Sequence, residues 1–279
     1  MAASTPQSPH QQHQSSSPFV EYIRAPGGLD KVLLRGGRSC SVEFGSHGNL
    51  EQHGFARNRL WTIDDNPPPL PVNPAIKAFV DIILKPTEDD LKMWPHSFEF
   101  RLRIALGALG DLSLTSRIRN TNTDGRPFSY TFAYHTYFSV SDISEVRVEG
   151  LETMDYLDLK KERCTEQGDA IVFESEVDKV YLSTPPKVAI IDHEKKRTFV
   201  VTKEGLPDVV VWNPWDKKAK AMQDFGDSEY KHMLCVEPAA VEKPITLKPG
   251  EEWKGRVAFS AVPSSYCSGQ LDPLMVLHG

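Results

Sequence analysis

Four groups of side chains in this sequence have types and spacings that could do chemistry. The first centres on His135, in SYTFAYHTYFSV, residues 129–140. If that stretch is a strand, its side chains alternate between two faces. Tyr130, Phe132, Tyr134, Thr136, Phe138 and Val140 then form an apolar, aromatic face. His135 falls on the other face, with Ser129, Thr131, Ala133, Tyr137 and Ser139, whose small or hydroxyl-bearing side chains leave room for a ligand. An imidazole exchanges its proton near neutral pH. A structural strand histidine is the alternative.

The second is Glu237, which closes the apolar run in HMLCVEPAAV. A carboxylate there is costly to desolvate unless it is paired or has a task. Burial raises its pKa toward neutrality, which suits a general base. The alternative is a strand-end glutamate turned to water. The third is Asp208, at the mouth of the valine-rich strand in DVVVWNPW, with a turn acid as the alternative. The fourth is GNLEQHGFARNRLW, residues 48–61, where Gln52, His53, Arg57 and Arg59 stand beside Phe55 and Trp61. Arginine offers a planar fork of donors to phosphate or sugar hydroxyls, and aromatic rings stack on a pyranose. A solvated loop is the alternative. His47 and His53 fit no metal-ligand spacing. Cys40, Cys164, Cys235 and Cys267 form no CxxC pair, so they read as reduced thiols of a cytosolic protein. No metal is expected.

The elements that must position these groups are mostly strands. SFEFRLRIAL places Phe98, Phe100, Leu102, Ile104 and Leu106 on one face and Glu99, Arg101 and Arg103 on the other. GALGD turns the chain and LSLTSRIRN returns, a hairpin signal. NTDGRP supplies another turn. Further strands are expected at EVRVEGL, AIVFES, KVAIID, RTFVVTK, DVVVW, HMLCVE and WKGRVAFSAV, and one short helix around KKAKAMQDF. Many short strands between frequent turns mean an all-β sandwich or barrel.

Composition sets outer limits. The chain has 279 residues with 39% hydrophobic and 25% charged residues, a globular profile, and a net charge of −6. That charge argues against nucleic acid as a partner. It leaves room for a small anion held by local arginines. No apolar run reaches the length of a membrane span. Residues 1–18 are a polar Gln, Ser, Pro and His tail, expected to be disordered, with 19–279 as a single domain. The tail has neither a signal-peptide core nor any Arg or Lys. A cytoplasmic location is expected, with a plastid as the alternative.

HGFARNR, WPHSFEFRL, YHTYFSVSDI, DVVVWNPW with KAKAMQDFGD, and CVEPAAV, in that order, resemble the plant-type glucose-6-phosphate 1-epimerases of the aldose 1-epimerase (mutarotase) superfamily. The resemblance covers about residues 46–279. It implies a β-supersandwich of the galactose mutarotase type. It implies interconversion of the α and β anomers of glucose 6-phosphate without cofactor or metal; a monomer is expected. By motif, His135 would be the general acid and Glu237 the general base. Gln52, His53, Arg57, Asp208 and Arg35, the arginine of RGG, would bind the sugar phosphate. Mutarotase action on free hexoses, and sugar-phosphate binding without turnover, are the competing readings.

The resemblance fails in one place. Family members pass through several strands before the arginine-glycine-glycine segment, whereas GLDKVLLRGG reaches it directly. RSCSVEFGSHG then replaces an apolar segment ending in Gln-Phe-Gly, with Glu43 in place of the glutamine. This pattern implies an internal deletion of early strands, which would expose sheet edges and lower stability or activity.

Overall fold

A computed structural model describes Gly54 and residues 56–69, 76–108, 110–222 and 225–263, together with the backbone of two short strands nearer the N-terminus. Those two, Glu21–Arg24 and Asp30–Leu33, pair antiparallel within a compact unit, Met1–Arg38; the second unit is Ser39–Gly279. The polar tail, Arg35, Gln52, His53, Cys40 and Cys267 lie outside the described residues.

The second unit is built from two antiparallel sheets. One has seven strands, running in space from Arg163–Thr165 through Asp155–Leu157, Val177–Tyr181, Asp208–Asn213 and Met233–Leu247 to Phe128–Ala133, with Tyr137–Ser139 also on the long Met233–Leu247 strand. The other has nine: Ile171–Val172, Val146–Glu149, Lys187–Asp192, Arg197–Glu204, Glu252–Pro263, Leu112–Asn120, Phe98–Gly107, Ile76–Leu84 and Thr62–Ile63. This is the expected all-β sandwich. Tyr181, Val209, Val211, Leu234 and Val236 of the smaller sheet meet Leu114, Val188, Ile190, Val201 and Val257 of the larger in one buried cluster. Each set recurs every second residue, as a half-buried strand requires.

The expected hairpin forms, with Phe98 opposite Asn120 and Leu106 opposite Leu112. Its outward face is not simply solvated. Arg103 is buried and holds Asp81 of the next strand through two contacts of 2.7 and 2.8 Å. Arg101 bridges Glu99 and Asp64 at 2.8 Å each.

Two boundaries differ from expectation. The helix spans Trp215–Ala221, starting two residues and ending four residues before KKAKAMQDF; its Ala219, with Phe225, packs on the outer face of the seven-stranded sheet against Val180, Val210 and Trp212. Residues 129–140 do not form one strand but break at residues 134–136. Thr136 Oγ1 donates to the Tyr134 carbonyl at 3.0 Å, and the Tyr134 hydroxyl donates to Ser116 Oγ of the facing sheet at 2.8 Å. A side chain that binds its own backbone competes with the ladder.

Candidate active site

The break leaves the register intact. Ala133 lies opposite Ala239, and Tyr137 opposite Cys235. Counting inward from both ends sets His135 directly opposite Glu237. The amide of Tyr134 donates to the Pro238 carbonyl at 3.0 Å, closing the ladder at that point. Glu237 therefore does not end its strand. The strand continues through Pro238 to Leu247, because this carbonyl bond survives where proline has no N–H to give.

Period two puts Cys235, Glu237 and Ala239 on the face away from the sheet-on-sheet core, and the contacts agree. Val236 and Leu234 belong to the inner cluster, Cys235 and Ala239 to the outer one. On that outer face His135 Nδ1 and Glu237 Oε1 are 2.6 Å apart, with side chains 19% and 5% exposed. His135 Nε2 faces the Tyr137 hydroxyl at 3.2 Å. An imidazole held at both nitrogens has a fixed orientation.

Burial pushes the Glu237 carboxyl upward from its ordinary range; contact with His135 pulls it down, and the negative charge of Asp178 pushes it up again. Asp178 is two strands away, opposite Trp212, which is itself opposite Cys235 on the strand of Glu237. Lys218 of the helix answers it, reaching Glu176 at 2.8 Å and Asp178 at 3.4 Å. A base raised toward neutrality beside a histidine is the pairing that proton transfer near pH 7 calls for.

Asp208 shares the outer face, opposite Ala239, and is 1% exposed. Its oxygens accept from the backbone amides of Ser183 (3.3 Å), Val241 (2.9 Å) and Glu242 (3.0 Å). The last two fasten the irregularity between Ala240 and Ile245 on the Met233–Leu247 strand. Beside it, burial draws the Lys203 ammonium down to about 8, against the pull of the Asp208 charge.

Arg57 is exposed in a short 3-10 turn, Ala56–Asn58. Arg59 is committed elsewhere, 2.7 Å from Asp90, which also caps the Glu88–Met93 helix. A separate depression of about 470 Å³ is lined by Asp142, Ser144, Glu145, His193 and Glu194. Its three carboxylates oppose a phosphate ester.

Sequence reasoning thus finds His135, Glu237 and Asp208 on one face. It misses Tyr137, Cys235, Asp178 and Lys218. Parity alone would have found the first two, since each lies two residues from a chosen residue on its strand. Asp178 and Lys218 carry no local signal; only cross-strand register and helix docking bring them near.

A family model described as aldose 1-epimerase matches residues 29–260. A protein of Cenchrus ciliaris, provisionally named glucose-6-phosphate 1-epimerase, is 72% identical over 312 aligned positions, covering 95% of each chain. One of Escherichia coli K12 with the same provisional name is 32% identical, covering 75% of this chain and 68% of its own. Among solved structures, a protein of Salmonella typhimurium provisionally described as a mutarotase superposes with a TM-score of 0.68 at 25% identity, over 79% of this chain and 70% of that one.

Proposed function

This chain belongs to the aldose 1-epimerase family, and from that premise we propose that it interconverts the α and β anomers of glucose 6-phosphate. The observation that carries the reading is the cross-strand pair itself, Nδ1 to Oε1 at 2.6 Å on a rigid ladder. The sugar's anomeric hydroxyl and ring oxygen replace that direct contact with two hydrogen bonds, one to Glu237 and one from His135. Glu237 takes the proton of the anomeric hydroxyl while His135 gives one to the ring oxygen, and the bond between C1 and the ring oxygen breaks. The freed aldehyde turns about C1–C2. The ring hydroxyl attacks its other face, returning its proton to His135, and Glu237 reprotonates the new anomeric oxygen. Both groups end as they began.

Tyr137 keeps the imidazole aimed throughout. Asp208 holds the strand beside the base and offers a remaining lone pair to a sugar hydroxyl. Arg57, with Arg35, Gln52 and His53, supplies the donors for phosphate and hydroxyls. The names of the two relatives and the family's motif order support the phosphorylated sugar.

The test is exchange spectroscopy on the C1 proton of glucose 6-phosphate and of free glucose. Faster exchange of the phosphate ester is expected. Glu237→Gln should slow it by about 10²-fold or more while leaving the circular dichroism unchanged. Unchanged exchange in that variant, or preference for free glucose, would overturn the reading.

A second reading, a chain of reduced activity, has its own observation. The alignment with the Cenchrus relative spans 312 positions, more than the 279 residues of this chain. The relative therefore has residues with no counterpart here, in keeping with the deletion read from the sequence.

A further inference from the structure

His135, Cys235 and Glu237 each present one donor atom, a ring nitrogen, a thiol sulfur and a carboxylate oxygen, and the three lie within 4.8 Å of one another. We propose that they form a ligand set for one thiophilic divalent cation of the zinc class, and that this cation and the sugar exclude each other.

The donor chemistry selects the cation. Thiolate with imidazole favours zinc-like ions over magnesium or calcium, which take oxygen shells. Three protein ligands with a fourth position open to water is a recurrent zinc arrangement. Tetrahedral bonds of about 2.0–2.3 Å set donors roughly 3.3–3.7 Å apart, so Nδ1 and Oε1 must part from their 2.6 Å contact while the sulfur stays within reach, an adjustment side-chain torsions can make.

The positions are fixed by backbone. Cys235 and Glu237 are alternate residues of one strand and so share a face; His135 is across the ladder from Glu237. Ligands on paired strands are held better than ligands on loops. The Tyr137 hydroxyl at Nε2 leaves Nδ1 toward Glu237, the outer partner a ligating imidazole ordinarily has. On binding, the thiol releases its proton to solvent as the sulfur–metal bond forms, with no change of oxidation state.

The exclusion rests on the proposed function. A cation bound at Nδ1 and at the Glu237 carboxylate occupies the lone pairs that would take up and return protons. Metal binding and catalysis then cannot coincide.

The experiment titrates the full chain with Co²⁺ and follows the thiolate-to-cobalt charge-transfer band in the near ultraviolet. One equivalent and a saturable band are expected. The band should vanish in Cys235→Ser and persist in Cys164→Ser. His135→Asn and Glu237→Gln should each weaken Co²⁺ binding tenfold or more; both alter side chains without touching the thiol, so they remain informative should Cys235→Ser fold poorly. Absence of the band in the natural chain, its survival in Cys235→Ser, or unweakened binding in both other variants overturns the ligand set. Saturating glucose 6-phosphate, matched against equal inorganic phosphate, should raise the Co²⁺ needed for half-saturation. A band indifferent to the sugar would overturn the exclusion and the sugar site, and leave the ligand set standing.

Discussion

The carboxyl of Glu237 is tuned by neighbours of opposite sign, and those influences can be separated. Desolvation raises it, the His135 contact opposes the rise, and Asp178 adds to it. The base must be ionised to accept a proton, so a raised pKa moves the acidic limb of kcat/KM above the range of an ordinary glutamate. Removing the Asp178 charge should lower the Glu237 pKa. In Asp178→Asn the acidic limb is therefore expected to move to lower pH, with Glu176 still holding Lys218 at 2.8 Å. A limb that stays put or moves upward in a pH–rate profile would refute the coupling. The same shift has a sign for stability. A carboxyl whose folded pKa lies above its unfolded value contributes fully below the unfolded value, and the contribution is lost as pH rises through the folded one. Glu237→Gln should flatten that decline in a series of urea melts across pH.

Strands and their irregularities explain what could be read from the sequence and what could not. Alternation in residues 129–140 places His135 outside the core, and the unbroken valine run of DVVVW marks a strand buried on both faces; both signals are local. The interruption at Tyr134–Thr136 is not local. It depends on Ser116, 18 residues earlier, and on a hydroxyl meeting its own backbone. The continuation of the Met233–Leu247 strand past Pro238 likewise needs an amide donor from elsewhere, that of Tyr134, for the Pro238 carbonyl. Asp208 looks like a turn acid because its three amide partners lie 25 to 34 residues away. Asp208→Ala should strand those amides and destabilise the protein by about 1–3 kcal/mol in chemical denaturation. Asp208→Asn, which keeps one acceptor oxygen, should cost less. Equal stability of all three proteins would mean that water replaces the carboxylate.

At the scale of the molecule, the nine-stranded sheet ends on a short strand. Among the described residues, Thr62–Ile63 pairs with Ile82 and Ile83 of Ile76–Leu84. Beyond that contact Phe79 is 56% exposed and Val80 39%, with Ile63 at 69%. Apolar side chains along a strand edge invite pairing with other chains. A version carrying the residues present only in the Cenchrus relative is expected to melt several degrees higher and to scatter less light on heating. Each kcal/mol recovered is worth roughly 2–4 °C in a chain of this size. Identical melting of the two forms would show that the shortened chain has lost no structural support.

The location of the proposed acid and base has a consequence for how activity fails. His135 stands in the three-residue break of the edge strand, tied on both sides by ladder pairs to the buried Met233–Leu247 strand, from which Glu237 faces it. A segment clamped on both sides to a buried ladder has little freedom to open before that ladder does. In rising urea, inactivation should coincide with loss of far-ultraviolet ellipticity, with no softened, inactive species preceding collapse. A gap between the two transitions would show that the proton-transfer pair loosens before the ladder that carries it.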